Sequence, residues 1–227
     1  MLIAALSGLV AGLVHVLSGP DHLAAVAPLA ADTERRAWLA GLDWGFGHTG
    51  GVLLVGIFAL LLRELLPIEA LSSWGERLVG VVLIGIGLWG FRRALGLRVH
   101  VHAHAHGGVR HEHVHVHAGG AGHADAPSAA LPHSHTHAAF AVGVLHGLAG
   151  SSHLLGILPA LAFATRAESV AYLVAFGLAT IFAMTAFAGA MGLIAGRARS
   201  GGAGFYRHLL YGCSAAAILV GGVWLFA

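Results

Sequence analysis

Six stretches of about 20 or more mostly apolar residues, each long enough to cross a bilayer as a helix, leave this chain few folds to choose from. They run Leu2 to Ala31, Ala37 to Leu62, Trp74 to Leu95, Ala138 to Ala164, Ser169 to Ala195 and His208 to Ala227. Only 10% of the 227 residues are charged, against roughly a quarter in a soluble domain. An all-α integral membrane protein with six transmembrane helices is the class these numbers call for. A cleaved leader needs a basic start and a small-residue cleavage site. The first basic residue here is Arg35, so the first stretch is expected to be retained.

The same composition removes several function classes. The chain has twelve basic residues, all arginine, and no basic stripe with interleaved aromatics, so nucleic acid is not an expected partner. The sequence pI near 9.2 reflects the siting of arginines around a membrane. Cys213 is the only cysteine, which excludes a disulfide framework or a CxxC site within one chain. No H-E-x-x-H run occurs, so a helix-borne zinc protease site is absent, and no enzymatic activity is expected. The unusual count is histidine, at 18.

Twelve of those histidines fall between residues 96 and 137, largely in alternation, as HVHAHAH from His100 to His106 and HEHVHVH from His111 to His117. With its Gly, Ala and Pro content this segment is expected to be mobile. Its imidazoles suit weak, exchangeable chelation of a transition metal. It divides the chain into a first three-helix membrane repeat (1–95), the His-rich loop (96–137) and a second three-helix repeat (138–227).

The two halves share a motif. At an offset of 131, Gly12, His15, Leu17, Gly19, His22, Leu23 and Pro28 meet Gly143, His146, Leu148, Gly150, His153, Leu154 and Pro159. Trp44-Gly45 is echoed by Phe176-Gly177, which sets Thr180 opposite His48. An odd number of spans per half inverts the second half relative to the first, as in many secondary carriers whose substrate site lies on broken helices near the midplane. Gly19-Pro20 is the expected break in the first helix, because proline removes an amide donor and clashes with the preceding turn. The first helix of each repeat is expected to be broken or kinked.

Arginine siting fixes an expected orientation. Nine arginines flank the connections after the first, third and fifth stretches and three the opposite side. This puts the His-rich loop in the cytoplasm and both termini outside, in the cell inner (plasma) membrane.

Two histidines and Asp21 inside an apolar stretch are the chemical signal. A carboxylate near the middle of a bilayer is costly unless paired, hydrated or ligating. Imidazoles with one carboxylate suit a divalent first-row transition metal. A single buried histidine commonly serves a helix–helix hydrogen bond, but position-matched pairs point to metal or proton handling. The expected metal residues are His15, Asp21, His22, His146 and His153 at the centre, with His48 at the rim. Asp43, Thr180 and Met184 are second-tier candidates, Met184 being readable as packing.

HVLSGPDHLAAVAPLA at His15 to Ala30, with WGFGHTGGVLLVG at Trp44 to Gly56, resembles the nickel/cobalt permeases, and within them the urease-accessory nickel permease branch. HGLAGSSHLLGILPAL from His146 and FGLATIFAM from Phe176 are similar to the same branch. The chain departs from the wider family in placing five residues between His15 and Asp21 rather than four. The resemblance implies Ni2+ or Co2+ as a transported substrate, with His15, Asp21, His22 and His48 as metal residues and no prosthetic group. It also implies the bilayer and cytoplasmic metallochaperones of a nickel or cobalt enzyme as partners. Import, efflux for metal resistance, and a non-transporting sensor or accessory role all stay open at this level.

Cells carrying Asp21→Asn or His22→Ala are expected to lose most metal accumulation at normal expression. Unchanged accumulation in both would contradict the assignment of these residues.

Overall fold

The computed structural model describes residues 1–32, 36–62, 68–106, 109–118, 134–149 and 156–226. Seven helices are present among them: α1 (Leu2–Ser18), α2 (Pro20–Asp32), α3 (Ala37–Leu62), α4 (Ile68–Leu95), α5 (Ser134–Leu148), α6 (Arg166–Ser200) and α7 (Ala203–Phe226). A 3-10 turn covers Leu158–Ala162 before α6. Three helical stretches are long and apolar enough to cross a membrane alone: Ser73–Leu95, Arg166–Ser200 and Ala203–Phe226. The pair α1–α2 qualifies jointly, bent by 70°. No more than a third of each single span's apolar window is buried, so most of that surface is left for lipid tails.

The bend falls where the sequence places it. Gly19 leaves the helix with extended backbone (φ −91°, ψ 95°), and its carbonyl accepts from the amide of His22 at 3.1 Å. Pro20 then opens α2 at a first-turn position, where its missing amide costs nothing and its fixed φ suits the helix. Asp21 lies in the first turn of α2, at the positive end of that helix's dipole.

Glycines set how closely the helices approach, as is common where no hydrophobic force separates helix from lipid. A side chain at Gly12 of α1 would run into the carbonyl of Phe176 on α6, and one at Gly143 of α5 into the carbonyl of Trp44 on α3. These are the positions matched between the two halves. Between α4 and α7, a Cβ added at Gly80 or Gly221 would each stand 2.7 Å from the other's carbonyl oxygen.

The far end of α2 is held by side chains. Arg199 donates through Nη2 to the carbonyls of Ala31 (2.9 Å) and Asp32 (3.2 Å) and to the Tyr206 hydroxyl (2.6 Å). That hydroxyl in turn donates to the Ala31 carbonyl at 3.1 Å. Arg93 of α4 pairs with Asp32 at 2.8 Å. Carbonyls at a helix C-terminus have no intrahelical partner; α6 and α7 supply donors to them here, while α4 pairs with the Asp32 side chain.

The His-rich segment holds regular structure that the sequence reading did not name. Leu97–His106 (β1) and Val109–Ala118 (β2) form a two-stranded antiparallel ribbon, from Leu97 opposite Ala118 to His106 opposite Val109. The physical reason is period: His-x-His-x with valine between is a strand pattern as well as a chelating composition. The register sets His100 opposite His115, His102 opposite His113 and His104 opposite His111.

Arg199→Ala is expected to cost about 1.5–3 kcal/mol, the range for hydrogen bonds to a charged group, and Tyr206→Phe about 1 kcal/mol. Thermal unfolding in detergent reads both. A melting temperature unmoved in Arg199→Ala would show that α2 is held by packing alone.

Candidate metal centre at the helix break

Five of the six residues singled out from sequence come together at the α1–α2 break, delivered by four helices. His15 comes from the last turn of α1, Asp21 and His22 from the first turn of α2, His48 from the middle of α3 and His146 from the end of α5. His153 lies outside the described residues. Asp21 and His22 are each 3% exposed, His146 2% and His48 0%, whereas His15 is half-buried.

The carboxylate of Asp21 is the centre of the polar contacts. Nδ1 of His22 donates to Oδ1 at 3.0 Å, and Nε2 of His146 donates to Oδ2 at 3.0 Å. A buried charge is tolerable only when it is paired and hydrogen-bonded, and both oxygens here have an imidazole partner. Nε2 of His15 also lies 3.2 Å from Nε2 of His48. The His22 ring centroid stands 4.6 Å from that of His15, 4.9 Å from His48 and 4.8 Å from His146. His22 and His48 each make ring contacts with all three other histidines of the cluster.

Two groups of donor atoms result, His15/His22/His48 and Asp21/His22/His146, each with its ligand atoms within 4.8 Å of one another. Nitrogen ligands about 2.0–2.1 Å from a metal ion stand roughly 2.9–3.4 Å apart for angles between square and tetrahedral. The pairs at 3.0–3.2 Å already have that spacing. Neutral imidazoles and a carboxylate are the donor set of borderline metals such as nickel, cobalt and zinc. Hydrogen bonding of a ligand histidine's second nitrogen to a carboxylate fixes its tautomer and raises its basicity, and Asp21 stands in that relation to His22.

Gly19 makes the arrangement possible. A Cβ there would collide with Nδ1 of His22 and stand 2.6 Å from its Cε1 and 2.9 Å from Oδ1 of Asp21. Only glycine lets both side chains fold back over the break.

His48 corrects an expectation. It is not at the rim but wholly enclosed, because glycines on both helices bring α5 against the backbone of α3. A Cβ on Gly147 would strike the His48 carbonyl, and one on Gly51 would stand 2.6 Å from the Val144 carbonyl. Thr180 and Met184, the second-tier candidates, are buried but turned to other work. Thr180 donates back to the Phe176 carbonyl at 2.9 Å, and Met184 joins the hydrophobic core. Asp43 is half-buried on α3 and belongs to neither donor group.

Trp44 is the member that sequence reasoning missed. Fully buried, it lies parallel to His48 with centroids 4.7 Å apart and 12° between planes, and 5.4 Å from both His22 and His146. The available signal was its place one helical turn before His48, which puts the two side chains on one face.

With this geometry in view, likeness to known proteins can be weighed. The chain is 35% identical over 192 residues to Chloroplast protein FOR GROWTH AND FERTILITY 1 of Arabidopsis thaliana, covering 83% of this chain and 50% of that protein. It is 34% identical to Chloroplast protein FOR GROWTH AND FERTILITY 2 of the same plant, covering 82% and 46%. It is similar to all of these and to one bacterial protein. That protein is the Urease accessory protein UreH of Bacillus sp. (strain TB-90), 29% identical over 189 residues, with 82% of this chain and 75% of that protein covered. The chain thus spans about half the length of its two plant relatives. No family model matches it, and no solved structure does.

Gly19→Ala is expected to weaken metal binding about 10- to 100-fold, the range for losing a group that orients a ligand, while helix content stays unchanged by circular dichroism. Wild-type affinity in this variant would show that the two side chains can sit elsewhere without loss.

Proposed function

We propose that this protein is a secondary transporter of a divalent transition-metal cation, Ni2+ or Co2+, with the cluster at the α1–α2 break as its binding site. The observation that carries the reading is the convergence of His15, Asp21, His22, His48 and His146, from four helices, on one buried patch. A dication entering such a place loses its hydration shell, and the donors on the broken helix replace it. Asp21 supplies compensating charge. Conduction requires binding strong enough to admit the ion and weak enough to release it, and one carboxylate among neutral imidazoles meets both demands. Likeness to a urease accessory protein supports nickel, since urease is a nickel enzyme.

In this reading the membrane part consists of six spans in two inverted three-helix repeats. The paired contacts Gly12 against Phe176 and Gly143 against Trp44 support it, because the same helix approach is made twice with the halves exchanged. The 96–137 segment faces the cytoplasm and buffers metal there, handing it to metallochaperones. The protein carries its cargo through a cell membrane and performs no chemistry on it.

Radioactive nickel flux across proteoliposomes, measured in both directions, tests this. Concentration-dependent, saturable flux is expected, and it should persist when residues 100–137 are deleted. Binding without flux would make the protein a sensor or accessory protein, and outward movement alone an efflux protein.

A further inference from the structure

We propose that the ribbon of β1 and β2 is a ladder of three two-histidine positions for a divalent transition-metal cation. Each position is one cross-strand pair: His100 with His115, His102 with His113, and His104 with His111. The inference deepens the metal-buffering part of the reading above and rests on that reading for its role.

Register sorts the residues by face. Alternate residues of a strand fall on opposite faces, and directly opposed residues share one. Counting from the pair His100–His115, β1 adds His102, His104 and His106 to that face, and β2 adds His113, His111 and His117. No histidine of the two strands falls on the other face, whose positions are leucine, valine or alanine apart from Arg110 and Glu112. Alternation within each strand does not secure this alone. A register slipped by one residue would set the histidines of one strand on the face opposite those of the other.

Spacing decides which histidines act together. Directly opposed residues of an antiparallel pair have Cβ atoms about 4.5–5.5 Å apart. Successive same-face residues of one strand stand about 6.8 Å apart, so the cross-strand partner is the nearer one. A cation held by one imidazole gains the second as an intramolecular ligand, at high effective concentration. Hydrogen-bonded and non-hydrogen-bonded pairs alternate along such a ladder, so three pairs set two residues apart are of one kind. The two remaining histidines of the face have no histidine opposite them: His106 faces Val109 in the register, and His117 faces Arg98. By composition the ribbon holds eight interchangeable ligands; by register it holds three pairs and two single residues.

Two neutral imidazoles suit nickel, cobalt, copper or zinc and leave the rest of the coordination shell to water. Such a pair lacks the carboxylate that compensates charge at the helix break. It therefore holds its ion more weakly than the buried cluster and releases it more readily, as a store that exchanges metal with that cluster requires.

Three double variants of the full chain, in detergent, each lose two histidines and differ only in register. His100→Ala with His115→Ala removes one pair, His100→Ala with His111→Ala breaks two, and His106→Ala with His117→Ala breaks none. Bound Ni2+ is measured by equilibrium dialysis, with free Ni2+ kept below what a single imidazole retains. Physiological ionic strength screens repulsion between ions on neighbouring pairs. Relative to the parent chain, the expected losses are about one, about two and about zero Ni2+ per chain, following the pair count. The same variants made with threonine, a strand-forming residue without a ring nitrogen, cover the case in which alanine loosens the ribbon. Equal losses in the three variants, the mark of chelation by composition alone, or any other order of losses, would overturn the proposal. If the order holds but vesicles pass no Ni2+, transport fails while the paired positions stand. If flux proceeds and the losses are equal, only the pairing falls.

Discussion

The carboxylate of Asp21, buried between His22 and His146, is the interaction on which the rest of this structure depends. An acidic side chain in a segment built to cross a membrane is costly, and here both of its oxygens are met by imidazoles at 3.0 Å. One partner is its chain neighbour on α2. The other comes from α5, 125 residues along the chain. The pair of bonds therefore ties the broken first helix to the second half of the molecule. Around that tie, the glycine contacts of α5 on α3 bring in His48, and the bend at Gly19 brings in His15.

The arrangement explains why so much of the chain is small. Gly12, Gly143 and Gly147 each face a backbone carbonyl of a neighbouring helix where a methyl group would not fit. Close backbone approach is what lets short imidazole side chains from separate helices reach each other. At the opposite end of α2, Arg199, Tyr206 and Arg93 anchor Ala31 and Asp32. The short half-helix is thus held at both ends, with its donors at one of them.

Much of this was legible in the sequence because the signals were local or repeated. The apolar stretches gave the helical class, Gly19-Pro20 gave the break, and the matched histidines named three of the five clustered groups, His15, His22 and His146, with Asp21 marked by its charge in an apolar stretch. What was not legible depended on approach between distant helices. His48 was expected at the rim because depth was counted along α3 alone; α5 covers it through contacts no single segment reveals. Trp44 looked like one apolar residue among many until its ring was seen against three histidines. The ribbon of Leu97–His106 and Val109–Ala118 escaped because its alternation was read for composition rather than for period. The cap on α2 escaped because Arg199 follows Ala31 by 168 residues.

The central claim is that these side chains form a site for a transition-metal ion at the helix break. Anomalous X-ray scattering from crystals of the full chain grown with Ni2+ tests it most directly. The account predicts a peak within about 2.0–2.2 Å of donor atoms, the usual range for nitrogen and oxygen ligands of such ions, on His22 and on either the His15/His48 or the Asp21/His146 side. Nickel peaks confined to the His-rich segment, with Asp21 still bonded to both His22 and His146 and no ion between the rings, would contradict it.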